Sequence, residues 1–235
     1  MSLVLKNISK IIGKKKIISK INFEAKAGDI VGILGPNGAG KSTLMKTIIG
    51  IYTQDSGRID VFGNDTVSNK ILTKSMIGYL SEDNPLYKDM TVNEFLKFVC
   101  DLHKITRSAC DKIMKLTFLL DVKNQTIKTL SKGYRQRVGI AQALIHEPKI
   151  IMLDEPTSGL DPKQLVEIRK IITNLGKDKI VIVSSHVIQE IEEICNRIII
   201  LNKGEILADK KISDFDGNLA NKFLKLIDTW IFKPN

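Results

Sequence analysis

Cysteine is scarce: Cys100, Cys110 and Cys195 are the only three in 235 residues, and they are scattered along the chain. That excludes a disulfide framework and argues against a zinc site, so all three read as buried apolar filler. No apolar run approaches the roughly 18 residues needed to cross a bilayer. The longest, at 180–183 and 198–201, have the length of buried strands. A signal peptide is also missing, because residues 1–10 alternate and meet charge too early, and the expected location is the cytoplasm. There is no internal repeat and no Ser- or Pro-rich linker, which leaves one large domain carrying a subdomain. A composition of 43% hydrophobic and 26% charged residues excludes disorder and a fibrous repeat. Acidic residues are outnumbered, 26 against 36 Lys plus Arg, for a net charge of +10. Such an excess suits a polyanion, an acidic membrane face or a phosphate ligand without choosing among them. Lys14, Lys15 and Lys16 form one solvated cluster, expected in a hairpin turn after Gly13.

Residues 2–8 and 17–25 alternate as two strands of that hairpin. A continuous apolar strand at 30–34 leads through a glycine-rich loop into an apolar-periodic helix ending near 49. Short strands follow at 58–62 and 77–80. From 91 to 145 the period becomes helical: Val92, Phe95, Leu96 and Val99 recur at that spacing, as do Ile113, Leu116, Leu119 and Leu120. Strands at 150–153, 180–184 and 197–201 then alternate with helices at 162–174 and 187–194, the pattern of a parallel α/β sheet. Asn202-Lys203-Gly204 reads as a turn into 205–208, and 217–231 as a capping helix in which Trp230, like Phe232 beyond it, packs rather than anchors.

Two segments carry the chemistry. Gly35 to Ser42 fits G-x-x-x-x-G-K-[ST] between a strand and a helix. Such glycines let backbone N–H groups turn inward around an anion, and the following helix adds its positive end. Lys41 is then placed to reach β- and γ-phosphates, and the Ser42 hydroxyl to ligate Mg²⁺, a hard ion that prefers oxygen. The motif specifies a nucleoside triphosphate, not its base. Downstream, 150–153 is an apolar strand ending in Asp154 and Glu155, where a parallel sheet gathers its ligands. Asp154 is expected near Mg²⁺ and Glu155 as the base that polarises an attacking water. His186 follows the strand at 180–183 and Ser184-Ser185, at another carboxyl end near Glu155 and the γ-phosphate. His103 and His146 lack such placement and read as structural.

Three further segments carry a family resemblance. Leu130-Ser131-Lys132-Gly133-Tyr134 followed by Arg135-Gln136-Arg137 resembles the ABC signature. Ser158-Gly159-Leu160-Asp161, just after Asp154-Glu155-Pro156-Thr157, resembles the D-loop. Gly35-Pro36-Asn37-Gly38-Ala39-Gly40-Lys41-Ser42-Thr43 is similar to the full ABC phosphate loop. The chain thus resembles the ATP-binding subunit of an ABC transporter over nearly its whole length, about 3–211. The resemblance implies a P-loop NTPase with a RecA-like α/β core, an N-terminal antiparallel β subdomain and an inserted helical signature subdomain. The core and β subdomain would span 1–82 and 150–211, the helical subdomain 83–149 and a capping segment 212–235. It also implies ATP as substrate with Mg²⁺. Two such domains would face head to tail, Ser131 and Gly133 of one touching the γ-phosphate held by Lys41 of the other. Asp161 would couple the two sites, and His186 would hold the γ-phosphate and water in line. The partners implied are a second ABC ATPase chain, the same or related, and a polytopic permease that keeps the protein on the cytoplasmic membrane face. No specific nucleic acid is expected.

Some positions depart from the common pattern. Glu82 stands where the family's metal-sensing loop often has Gln; it can reach the metal but adds a charge. Ile12 stands where an aromatic usually stacks on adenine, so an apolar contact survives without stacking. Lys132 and Tyr134 replace the usual Gly and Gln of the signature; Lys132 either adds charge near the partner's triphosphate or points to water. Lys132-Gly133-Tyr134 in the signature and Glu82 in the sensing loop resemble the efflux branch served by separate permeases. An importer subunit, and a soluble ABC ATPase on nucleic acid or ribosomes, are the alternatives, the latter disfavoured because such relatives carry paired ATPase domains or a coiled coil. Asn202-Lys203-Gly204-Glu205 is a poor guanine reader, and Glu155 with His186 argues against a non-hydrolysing domain. Pro85, Leu86, Tyr87 and Met90, within 82–99, are expected to offer a docking groove for a permease helix.

Overall fold

The computed structural model describes residues 2–215 and 219–231, with side chains as far as Lys225. The alternation at the start of the chain becomes β1 (Ser2–Ile12) and β2 (Lys15–Lys26), joined at Gly13 and Lys14. The strands are longer than expected, so Lys15 and Lys16 belong to β2 and pair with Ile12 and Ile11 across the ladder. Next come β3 (Ile30–Leu34) and α1 (Lys41–Ile48), then β4 (Ser56–Val61) and a two-residue β5 (Asn64–Asp65). These N-terminal strands form an antiparallel sheet in the order β2-β1-β4-β5.

A short α2 (Lys70–Ser75), below the length that periodicity detects, precedes β6 (Ile77–Leu80). The helical segment contains α3 (Val92–Leu102), α4 (Ala109–Leu116) and α5 (Lys132–Leu144). Thr91 starts α3 with a capping box, its hydroxyl accepting from the Glu94 N–H while Glu94 reaches back. The expected helical spacing through Leu120 breaks after α4: Leu119 is buried, but Leu120 opens a 3₁₀ turn and is 46% exposed. The chain then returns through β7 (Ile150–Asp154), α6 (Pro162–Leu175), β8 (Ile180–Ser185), α7 (Ile188–Ile194), β9 (Arg197–Asn202) and β10 (Glu205–Lys211). The last element is α8 (Leu219–Ile231); the side chain of Trp230, together with Gly217 and Phe232, lies outside the described residues.

The second sheet has the order β10-β9-β3-β8-β7-β6. It is parallel from β9 to β6, as the strand-helix alternation requires, but β10 runs antiparallel on its edge. β10 follows the expected turn at Asn202-Lys203-Gly204, and a tight turn can only reverse the chain, whereas a parallel return needs a crossover. The alternating faces of the central strands feed two cores. Val31, Ile33, Ile150, Met152, Ile180 and Ile182 meet the antiparallel sheet and α1. Leu34, Ile151, Leu153, Val181 and Val183 meet α5, α6, α7 and the helical subdomain. Cys100 and Cys110, far apart by sequence spacing, are buried neighbours with sulfurs 3.3 Å apart on α3 and α4. His103 and His146 stack at 4.5 Å, and burial, followed by the His103 charge, lowers the His146 pKa. Among the described residues no helix is long and apolar enough to cross a membrane.

The join between sheet and helical subdomain is tight at Gly78, where a Cβ would lie 2.0 Å from the Ala143 carbonyl oxygen on α5. Backbone cannot yield as a side-chain tip can. Gly78→Ala is therefore expected to cost about 1–3 kcal/mol through overpacking, read as a lower urea midpoint; an unchanged midpoint contradicts this packing.

Candidate functional site

The carboxyl ends of β3, β7 and β8 lie side by side in the sheet, and each delivers one chemical group. After β3 the chain turns through residues 35–40 into α1. Gly40 adopts φ 104° at the N-cap, a conformation costly to any other residue, and no side chain caps the helix. The N-terminal N–H groups of α1 are left to an external acceptor. Lys41 is 6% exposed, and its ammonium donates to the carbonyls of Gly35 at 2.8 Å and Pro36 at 3.4 Å.

β7 ends in Asp154, which is 1% exposed and almost surrounded by hydroxyls. Its Oδ1 accepts from Ser184 Oγ at 2.6 Å and Ser42 Oγ at 3.2 Å, and its Oδ2 from Tyr79 at 3.4 Å. Burial, and then the Asp154 charge, push the Tyr79 phenol well above its ordinary pKa, so it remains a donor. Glu155 follows at φ 50°, a left-handed conformation that a non-glycine residue adopts at a cost. Its N–H donates to Ser184 Oγ at 3.0 Å. Its two carboxylate oxygens are divided: Oε1 lies 3.5 Å from Lys41 Nζ, Oε2 3.0 Å from His186 Nδ1. His186, past the end of β8, keeps 47% of its side chain exposed. A hydrogen on Nδ1 is what lets the imidazole donate to the Glu155 carboxylate, and that leaves Nε2 free of this bond.

A cavity of about 510 Å³ opens over these groups, lined by residues 36–43 with Lys15, Ile17, Glu82, Glu155, Ser158 and His186. The expected phosphate-loop, acidic and histidine residues are thus together, and Glu82 stands on the wall. Ile12 does not: it is 43% exposed, and β2 brings Lys15 and Ile17 to the wall in its place. Ser131, Gly133 and Asp161 form a second cluster off this cavity. Ser131 caps α5, accepting from the Tyr134 N–H at 3.3 Å, and Asp161 caps α6, accepting from the Gln164 N–H at 3.0 Å. The Gln164 side chain links them, donating to Ser131 Oγ at 3.5 Å and sitting where a Cβ on Gly133 would be, 2.4 Å away. A larger cleft, about 1220 Å³, lies along β10; its Arg197 is satisfied by Asp209 at 2.6 Å and Asp29 at 3.4 Å.

No group of three or more His, Cys, Asp or Glu among the described residues forms a metal cage. The oxygens of Ser42 and Asp154 nonetheless fit Mg²⁺, which is commonly held by one or two protein oxygens with substrate phosphates and water completing its shell. Ser184 and Tyr79 were not legible as site residues. Their only signal was position, at or near the carboxyl end of a strand whose neighbour carries Asp154.

A model of the ABC transporter family matches residues 18–158. The chain is 37% identical over 217 residues to the uncharacterised ABC transporter ATP-binding protein YdbJ of Bacillus subtilis (strain 168), covering 90% of this chain and 70% of that one. It is 35% identical over 217 residues to the lantibiotic transport ATP-binding protein SrtF of Streptococcus pyogenes, covering 92% of each. Among solved structures, an ATP-binding cassette captured as a dimer after hydrolysis, with ADP and Pi bound, is 28% identical with a TM-score of 0.80, covering 89% of this chain and 98% of that one.

Proposed function

The chain belongs to the ABC transporter family as an ATP-binding, ATP-hydrolysing subunit, and from that premise we propose that it dimerises around two ATP molecules and drives export through a separate membrane permease. The observation that carries the catalytic part is the division of the Glu155 carboxylate between Lys41 and His186. Lys41 binds the β- and γ-phosphates, which draws its ammonium away from Glu155. The freed Oε1 then accepts a proton from water as the water oxygen attacks the γ-phosphorus and the bond to the β-bridging oxygen breaks, releasing ADP. His186, held through Nδ1, presents Nε2 to that water or to the phosphate. Ser42 and Asp154 would hold Mg²⁺, whose positive charge would offset that of the phosphates, and Glu82 stands on the wall of the same cavity. Ser184 keeps Asp154 and the Glu155 N–H together. Lys41→Ala removes a charge-assisted bond whose contribution of about 1.5–3 kcal/mol corresponds to roughly 10- to 100-fold in ATP affinity. Titration calorimetry at unchanged affinity refutes that role.

Export is supported by the near-complete overlap with a relative named for lantibiotic transport. Docking to a permease is supported by Tyr87, 58% exposed at the rim of the helical subdomain although its ring meets Phe98 edge-on at 5.4 Å. Leu86 and Met90, expected in the same groove, pack instead against the core, which narrows the proposed contact to the loop around Tyr87. Affinity purification of the tagged chain from detergent-solubilised membranes of its own cells tests the assignment. A polytopic membrane protein is expected to accompany it and hold it on the cytoplasmic face. An extracytoplasmic binding protein in the same complex overturns export in favour of import, and recovery of ribosomes or nucleic acid overturns transport altogether.

A further inference from the structure

The His186 side chain is bonded to Glu155 and is otherwise half in solvent. Glu155 is the residue of the strand end with a left-handed backbone. Glu155 is buried between Lys41 and Ser184, but His186 has no other side-chain bond, so their mutual placement also depends on the segments on either side. Those segments are tied to one side chain that neither the family signature nor the strand pattern singles out. Glu190, on the first turn of α7, uses a single oxygen, Oε2, to accept two buried hydroxyls. One comes from Thr157 at 2.5 Å, two residues after Glu155; the other comes from Ser185 at 2.9 Å, immediately before His186. Ser185 Oγ in turn accepts the N–H of Val187, immediately after His186, at 3.0 Å. Thr157 is 2% and Ser185 0% exposed, so in the folded chain Glu190 is the acceptor on which both hydroxyls rely.

We propose that Glu190 is a positioning residue for hydrolysis, clamping the segment after Glu155 to both flanks of His186 so that base and imidazole stay in register. The proposal rests on the reading of Glu155 and His186 as the hydrolytic pair. A carboxylate suits the task because one oxygen can accept two hydrogens along separate lone pairs, and charge-assisted bonds of this kind are the strong ones. Release of the clamp lets the Glu155 backbone relax from its strained conformation and lets His186 drift, while leaving Lys41, Ser42 and the phosphate loop as they are.

The test is steady-state ATPase kinetics of the full-length protein, with circular dichroism and melting to confirm folding. Glu190→Ala is expected to lower kcat roughly 10- to 100-fold with KM for ATP little changed, since displacing a reacting group without altering binding carries that cost. Glu190→Gln keeps an oxygen able to accept both hydroxyls and is expected to recover most of the loss. Thr157→Val, which removes one arm, is expected to lower kcat by itself and to add nothing further to Glu190→Ala. The proposal is overturned if Glu190→Ala turns over within about twofold of the parent, if its defect lies in KM, or if Glu190→Gln is as impaired as Glu190→Ala. Should Glu190→Ala fail to fold, Thr157→Val and Glu190→Gln decide the question between them: a parental kcat in Thr157→Val overturns the clamp, and a lowered kcat with near-parental Glu190→Gln supports it. Glu155→Gln, run beside them, separates the two levels. Full activity there removes the hydrolytic reading itself, whereas an inactive Glu155→Gln with parental Glu190 and Thr157 variants removes only the clamp.

Discussion

Glu155→Gln is expected to bind ATP and fail to hydrolyse it. The substitution preserves shape, and its amide oxygen can still accept from His186 Nδ1, which lies 3.0 Å from Glu155 Oε2. What disappears is a group able to take a proton from water. A positioned base contributes about 10²- to 10⁴-fold, and kcat should fall by at least that range. Binding should survive or improve, because the carboxylate 3.5 Å from Lys41 competes with phosphate for the same ammonium. An ATP-loaded dimer unable to reopen should then accumulate, visible by gel filtration with ATP and Mg²⁺. Turnover within about tenfold of the parent would contradict the assignment of Glu155, since that falls short of what a general base supplies.

The second large effect concerns a residue remote from the cavity. Ser131 caps α5 beside Gln164, and neither it nor Gly133 lines the cavity that contains Lys41 of the same chain. If the signature acts on a triphosphate, it acts on the partner's. Ser131→Arg puts bulk and a long charged side chain at that contact and is expected to abolish hydrolysis while the isolated chain binds ATP as before. Loss of the cap alone costs about 1 kcal/mol of stability, so Ser131→Ala serves as the control for folding. Mixing Ser131→Arg with Lys41→Ala chains should restore one working site per heterodimer and no more: the site pairing the intact Lys41 of one with the intact Ser131 of the other. Parental turnover by Ser131→Arg, independent of protein concentration, would mean that one chain holds every catalytic group it needs.

How far the sequence reached depended on whether the signal was local. The apolar strands at 30–34, 150–153 and 180–183 were legible because strands buried on both faces must be apolar at every position, and all of them are buried. Lys41, Asp154, Glu155 and His186 were legible because a parallel sheet carries its chemistry at strand carboxyl ends, so position along the chain predicts proximity in space. The helical stretch followed from the change of period after 91. All of this the residues determined by themselves.

Other features needed the tertiary structure. Lys15 and Ile17 line the cavity and Ile12 does not because β2 lies against the phosphate loop, the Ile17 carbonyl 3.1 Å from where a Cβ on Gly40 would be, a contact that no alternation pattern reveals in advance. Cys100 and Cys110 meet because α3 and α4 pack, although ten residues separate them. Ser184 and Tyr79 meet Asp154, and Thr157 meets Glu190, across 30, 75 and 33 positions of the chain. A hydroxyl or a surface-type glutamate carries no mark of such a partner in its neighbours along the chain. The requirement that buried polar groups be satisfied applies only once the fold has buried them, and it is the packed sheet that decides which groups those are.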